Sequence, residues 1–182
     1  MTIFLKLKSW QVFCILVLMP ATLQIILMPK VEPGMPIPLN VFQTTFPILM
    51  IVFITCFMSW FWSIGTGINK LINVDIRPKV SKFELSIYYS VSYMFVVTLL
   101  IAFVLDLSQP TGYESLIIPF HLLAMFSVFY CVYFIAKNLA MAEKNERLTF
   151  TDFAGTFFLI WFYPVGIWFV QPRVNKLVKH NS

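Results

Sequence analysis

Charged side chains are scarce in this sequence of 182 residues. Asp, Glu, Lys and Arg together make up 12% of it, whereas hydrophobic residues make up 59% and aromatic residues 18%. A soluble domain has about a quarter of its residues charged and about half apolar. The composition therefore excludes an ordinary soluble protein and indicates a single domain embedded in a lipid bilayer.

Catalytic and nucleotide-binding motifs are also absent. The sequence has no G-x-x-x-x-G-K-[ST], G-x-G-x-x-G, H-E-x-x-H, C-x-x-C or G-x-S-x-G pattern. No Asp, Glu, Lys or Arg lies deep inside an apolar run, where an ion-coupled transporter needs one. Cys14, Cys56 and Cys131 all lie in apolar runs, where a thiol usually behaves as a small buried hydrophobe. We therefore expect a non-enzymatic protein without a cofactor or a metal site.

Uncharged runs long enough to cross a bilayer dominate what is present. A helix needs roughly 18–20 apolar residues to do so. Five runs approach or exceed that length: Ser9–Pro29, Pro33–Asn69, Leu85–Leu105, Ser115–Ala136 and Phe153–Pro172. The first follows Lys6 and Lys8 but lacks an A-x-A-like cleavage site, so we predict an uncleaved first helix.

The sequence thus predicts an all-α, polytopic transmembrane helical bundle. Four prolines between Pro29 and Pro38 separate the first two helices, and an S-x-x-E capping box at Ser81 marks the start of the third. The predicted spans are Ser9–Met28, Val41–Ile64 ending near Gly65 and Gly67, Lys82–Leu107, and Ser115 to about Arg147.

The basic residues lie at the ends of the apolar runs and not in one patch, so they indicate topology and not nucleic-acid binding. With four spans and the N-terminus inside, only Lys30 falls outside. Nine bases then lie on the cytoplasmic side: Lys6, Lys8, Lys70, Arg77, Lys79, Lys82, Lys137, Lys144 and Arg147. This bias predicts a cytoplasmic N-terminus in the inner membrane of a bacterium.

The fifth apolar run decides where the C-terminus lies. If Phe153–Val170 crosses, then Arg173 and two further bases move outside and weaken the bias. Pro164 interrupts this run, and Gly166 can provide a turn. We predict a broken, re-entrant helix that returns to the cytoplasmic side as a shallow hairpin at the interface, with a fifth span as the alternative.

Two interactions are predicted for such a hairpin. Arg173 could pair with Asp152, which would neutralise both charges at the interface. Gln171 could bond the backbone that Pro164 leaves free.

The C-terminal residues also resemble those of a family of small, uncharacterised bacterial integral membrane proteins. The shared pattern is D-F-x-G, an aromatic run, P-x-G-I-W and Q-P-R-x-N, over about 30 residues. The matching positions are Asp152, Phe153, Gly155, Trp161, Pro164, Gly166, Ile167, Trp168, Gln171, Pro172, Arg173 and Asn175. The resemblance implies a bacterial membrane protein and lends no activity.

Few polar residues lie inside the spans. His121 is the only histidine among them, and an intramembrane ionisable group is a candidate for function. The alternative is a neutral imidazole that hydrogen-bonds a neighbouring helix. Thr55, Ser59 and Ser63 follow at intervals of four on one helix face, where they suit close helix packing or could line a polar pathway.

Three functions remain open on the sequence. The first is a structural or accessory subunit of a bacterial membrane assembly, with other membrane subunits, further copies of itself and the lipid bilayer as partners. The second is an oligomeric channel or small-solute-passing protein lined by the Thr55–Ser59–Ser63 stripe. The third is an enzyme that acts on lipid through His121.

Overall fold

The structure is a computed structural model that describes residues 3–27, 39–103 and 114–181, and this part of the chain is helical apart from its connections. Two short helices, α1 (Ile3–Lys6) and α2 (Ser9–Phe13), lead through a π-helical segment (Cys14–Leu18) into α3 (Met19–Leu27). Long helices follow: α4 (Leu39–Asn69), α5 (Ser81–Phe103) and α6 (Glu114–Lys144). The C-terminal part forms α7 (Phe150–Trp161) and α8 (Tyr163–His180).

Within the described residues, four helical stretches are long and apolar enough to cross a membrane, as the sequence predicts. They are Ser9–Leu27, Gln43–Asn69, Ser81–Phe103 and Ile117–Lys144, and α7 is a shorter apolar helix. The polytopic helical bundle with four candidate spans is thereby confirmed. The proline-rich linker, the end of the third helix at Leu107 and the turn after it lie outside the described residues.

Helix α4 continues past the two glycines at which the sequence analysis ended it. A Cβ at Gly65 would overlap the Phe83 ring, and one at Gly67 would overlap the Leu5 side chain. These glycines therefore allow close packing against neighbouring elements and do not stop the helix.

Helix α6 ends in a left-handed cap. Its next residue, Asn145, adopts a φ of 53°, and the Asn145 N–H bonds the Met141 carbonyl at 2.8 Å.

The core lies toward one end of the bundle, where α4 packs against α5, α6 and α8. Its largest fully buried side chains include Trp60, Phe61 and Ile64 of α4, Phe83 of α5 and Leu139 of α6. The opposite half is open, because Ile25 of α3, Phe103 of α5 and Phe126 of α6 are all exposed. Most of the packing energy is therefore concentrated at the end that carries residues 70–80 and the last turns of α6.

Candidate functional site

The fifth apolar run forms a helical hairpin, with its break at Phe162. This residue has φ −89° and ψ 55°, between the end of α7 and the start of α8. The break was predicted at Pro164, but Pro164 lies in the first turn of α8, where a missing N–H removes no helical bond. The Phe162 carbonyl accepts bonds from Val165 and Gly166, and its N–H bonds the Phe158 carbonyl, so the irregular backbone is satisfied locally.

The two arms lie against each other. Gly166 is buried, and a Cβ at this position would overlap the carbonyl oxygen of Leu159 and lie 2.5 Å from its carbonyl carbon. Only glycine allows α8 to approach the backbone of α7 this closely. The role of Gly166 is thus close contact between the arms and not the turn that the sequence predicted.

The tip of the hairpin reaches the middle of the bundle. Trp161 stacks on Phe129 at 4.1 Å between ring centroids, and Tyr163 packs edge-on against Phe57 at 5.0 Å. Phe129 and Phe57 lie near the midpoints of α6 and α4. The shallow hairpin predicted for this stretch is therefore wrong in depth, because the aromatic side chains of α4 and α6 provide a surface that reaches further in.

Arg173 fixes the return of the chain to the end where α7 began. Its Nε donates to Glu143 Oε1 at 2.7 Å, and its Nη1 donates to Thr156 Oγ1 at 3.0 Å. A second bond joins Nη2 to the other Glu143 oxygen, so the pair is bidentate. The predicted pairing of Arg173 with Asp152 is wrong. Arg173 meets Thr156, one turn further along α7, and faces the end of α6.

Asp152 instead caps α7. Its Oδ2 accepts bonds from the Thr149 backbone N–H at 2.8 Å and from the Thr149 hydroxyl at 2.7 Å. The bond from the hydroxyl and that from the backbone lower the pKa of Asp152 below its ordinary value. The cap is therefore intact at neutral pH and is lost as the pH falls through this depressed pKa. The T-x-x-D spacing was visible in the sequence and could have identified the cap.

Gln171 is a fully buried hydrogen-bonding centre. Its Nε2 donates to the carbonyls of Phe4 at 2.6 Å and Leu7 at 3.0 Å, and its Oε1 accepts from Trp60 Nε1 at 3.2 Å. The predicted bond to backbone near Pro164 is wrong, since the Gln171 amide donates to Phe4 and Leu7 of the N-terminal segment instead.

The interruption of the helix between α1 and α2 explains why the Gln171 side chain is needed as a hydrogen-bond donor. The amide of Lys8 bonds the Gln11 side chain, and the amide of Gln11 bonds the Lys8 carbonyl. The carbonyls of Phe4 and Leu7 thereby lose their usual helical donors. Gln171 supplies the missing donors, and Asn175 Nδ2 adds a bond to Leu7 at 3.0 Å. Helix α8 thus holds the N-terminal segment onto the bundle.

A buried pair of side-chain amides, Asn69 and Asn138, lies between α4 and α6. Asn69 Nδ2 lies 3.0 Å from the Pro78 carbonyl oxygen and 3.4 Å from Asn138 Oδ1. This pair ties the 70–80 connection to the core end. Sequence reasoning missed Asn69, Asn138, Trp60 and Glu143, because none of them belongs to a motif and their partners are far away in the chain.

His121 lies on an exposed face of α6, beside α5. Its Nδ1 is 3.2 Å from the Tyr93 hydroxyl, and the neighbouring Tyr89 hydroxyl donates to the Phe120 carbonyl at 3.1 Å. Among residues 3–27, 39–103 and 114–181, no group of three His, Cys, Asp or Glu side chains could hold a metal ion. The arrangement around His121 joins α5 and α6 through two tyrosines.

The three hydroxyl residues Thr55, Ser59 and Ser63 differ in their exposure. Thr55 is exposed, Ser59 is half-buried and Ser63 is 2% exposed. Thr55 and Ser59 line a groove of about 250 Å³ between α4 and α5, with Trp62 and Tyr88 beside them. On a single copy of the chain, the three hydroxyls therefore do not form a continuous exposed stripe.

Comparison with protein-family models, with curated proteins and with solved structures gives no match.

Proposed function

We propose that the protein is a non-enzymatic accessory subunit of a bacterial inner-membrane assembly. The observation that carries this proposal is the pair of hydroxyls at Thr55 and Ser59. Helical Thr66 and Ser127 donate to the carbonyl four residues earlier, at 2.7 and 2.9 Å. Thr55 and Ser59 make no hydrogen bond with any described residue, although they line an open groove in a candidate span.

Lipid tails cannot bond these hydroxyls, whereas another helix can. Hydroxyl and small residues stabilise helix contacts in membranes because backbones approach closely and the hydroxyls bond across the interface. The groove beside Trp62 and Tyr88, with its volume of about 250 Å³, has room for a side chain of such a helix.

The distribution of charge supports a cytoplasmic position for both termini. Asn175 contacts Leu7, Arg147 contacts Asp75, and Arg173 contacts Glu143, so the basic segments of the chain share one end of the bundle. Lys and Arg concentrate on the cytoplasmic side of bacterial membrane proteins. A re-entrant hairpin keeps the last bases on that side as well.

A photo-crosslinking residue at Ser59, introduced in native membranes, is expected to give a defined protein adduct. Mass spectrometry identifies whether the adduct holds another protein or a second copy of this chain. Position Phe126 is the matched control, since it is exposed in a candidate span and does not line the groove. Thr55→Leu should weaken the Ser59 adduct, because it removes a hydroxyl from the contact.

Equal adducts at both positions, or adducts with lipid alone, would contradict a subunit contact at this groove. Flux of ions or small solutes through liposomes that hold only this protein would favour the channel instead.

A further inference from the structure

A basic cleft lies at the core end of the bundle, between the 70–80 connection and the end of α6. Its charged lining consists of Asp75, Arg77, Lys137 and Arg147, and its volume is about 360 Å³. Three cations against one carboxylate leave two positive charges in excess. Since none of the three cations forms an ion pair with a described residue, their charge is available to a ligand.

The cations are held in place by contacts that leave donors free. Arg77 donates through Nε and Nη2 to the carbonyls of Ile72 and Lys70, so its position is fixed while Nη1 makes no bond with a described residue. Arg147 Nη2 reaches the Asp75 carbonyl at 3.5 Å, which joins the two connections that form the cleft. Lys137 lies over the Tyr133 ring, with Nζ 5.8 Å from its centroid.

The depth of the cleft and its apolar walls distinguish a lipid from a soluble anion. Lys137 is half-buried within the candidate span Ile117–Lys144, seven residues before its end and therefore about 10 Å along the helix. Its long side chain lines the cleft. Ile76 and Leu148 line the same cleft, and both side chains are partly exposed. A phosphate with attached apolar chains can use these walls, whereas a free phosphate cannot.

We propose that this basic cleft binds the phosphate-bearing headgroup of an anionic phospholipid. Arg77 and Arg147 present guanidinium donors to the phosphate, and Lys137 contributes a further positive charge. The lipid's glycerol and first methylenes lie against Ile76 and Leu148. Basic pockets at the cytoplasmic ends of membrane helices suit anionic headgroups for this physical reason. The site goes beyond the proposed function, because it needs no protein partner.

Lipid binding can be measured on the full-length protein in neutral detergent, through the unfolding midpoint. Dioctanoyl phosphatidylglycerol is expected to raise the midpoint saturably, because a ligand that binds only the folded state stabilises it. Dioctanoyl phosphatidylcholine and inorganic phosphate at the same concentrations are expected to have little effect. The double variant Lys137→Gln with Arg147→Gln should weaken the apparent affinity roughly 30-fold, since each charge contributes about fivefold.

The control removes the same charge outside the cleft. Lys79→Gln with Lys82→Gln changes two exposed lysines at the same end and should keep the parent affinity. The charge-conserving pair Lys137→Arg with Arg147→Lys should retain binding, which keeps the test valid if the glutamine variant fails to fold. Equal effects of phosphatidylcholine, equal effects of inorganic phosphate, or an equal loss in the control pair would each overturn the proposal.

Discussion

Replacing Gln171 with leucine is expected to lower the free energy of unfolding by about 2–4 kcal/mol. The substitution removes three hydrogen bonds from a fully buried side chain. The Phe4 carbonyl and the Trp60 indole N–H are then left without these partners, and an unsatisfied buried group costs more than a hydrogen bond gains. Unfolding in mixed detergent micelles measures the loss.

Hydrogen exchange shows which part of the same variant loses protection. Amides of α2 should exchange faster in Gln171→Leu, because Gln171 holds the break between α1 and α2. The control is Gln24→Leu, the same chemical change at an exposed position of α3. If both variants lose the same stability, or if α2 stays protected, Gln171 does not hold the N-terminal segment.

Replacing Gly166 with alanine should destabilise the hairpin by about 2–4 kcal/mol, because the new Cβ overlaps backbone and not a side-chain tip that can rotate away. Alanine otherwise favours a helix over glycine by about 1 kcal/mol, so the steric cost must exceed that gain.

Gly155 provides a matched control within the same hairpin. A Cβ there meets no atom within 4 Å, and the residue is exposed. Gly155→Ala should therefore leave stability unchanged or raise it by up to about 1 kcal/mol. The two variants can be compared by unfolding midpoint and by retention of a monodisperse species in detergent. A neutral Gly166→Ala would show that the arms of the hairpin do not touch as described.

The spans could be predicted from the sequence because they depend on local composition. Runs without charge, bounded by charged residues of either sign, located the four candidate spans of the described residues within a few positions. The predicted end of α4 at its two glycines was wrong, since glycine occurs both at helix ends and at sites of close packing. Only the position of Phe83 and Leu5, from other elements, decides between the two uses.

The contacts of the C-terminal hairpin could not be predicted in the same way. A salt bridge at Arg173 was expected, but its partner depends on how deep the hairpin reaches and on how α8 is rotated about its axis. Gln171 bonds carbonyl groups of Phe4 and Leu7, and a backbone carbonyl has no signature in a sequence. Its need for a donor appears only once the break between α1 and α2 is known.

The central claim is that residues 150–180 enter the bundle and return to the end at which α6 finishes. Single cysteines at Asn181, at Glu146 after α6, and at Glu114 at the opposite end of α6 test it in a cysteine-free background. A membrane-impermeant thiol reagent is applied to cells with a permeabilised outer barrier. Labelling of Glu114→Cys alone, with Asn181→Cys and Glu146→Cys reactive only after the inner membrane is opened, is the predicted result. Labelling of Asn181→Cys before that step, with Glu146→Cys still protected, would mean a fifth span and would contradict the hairpin.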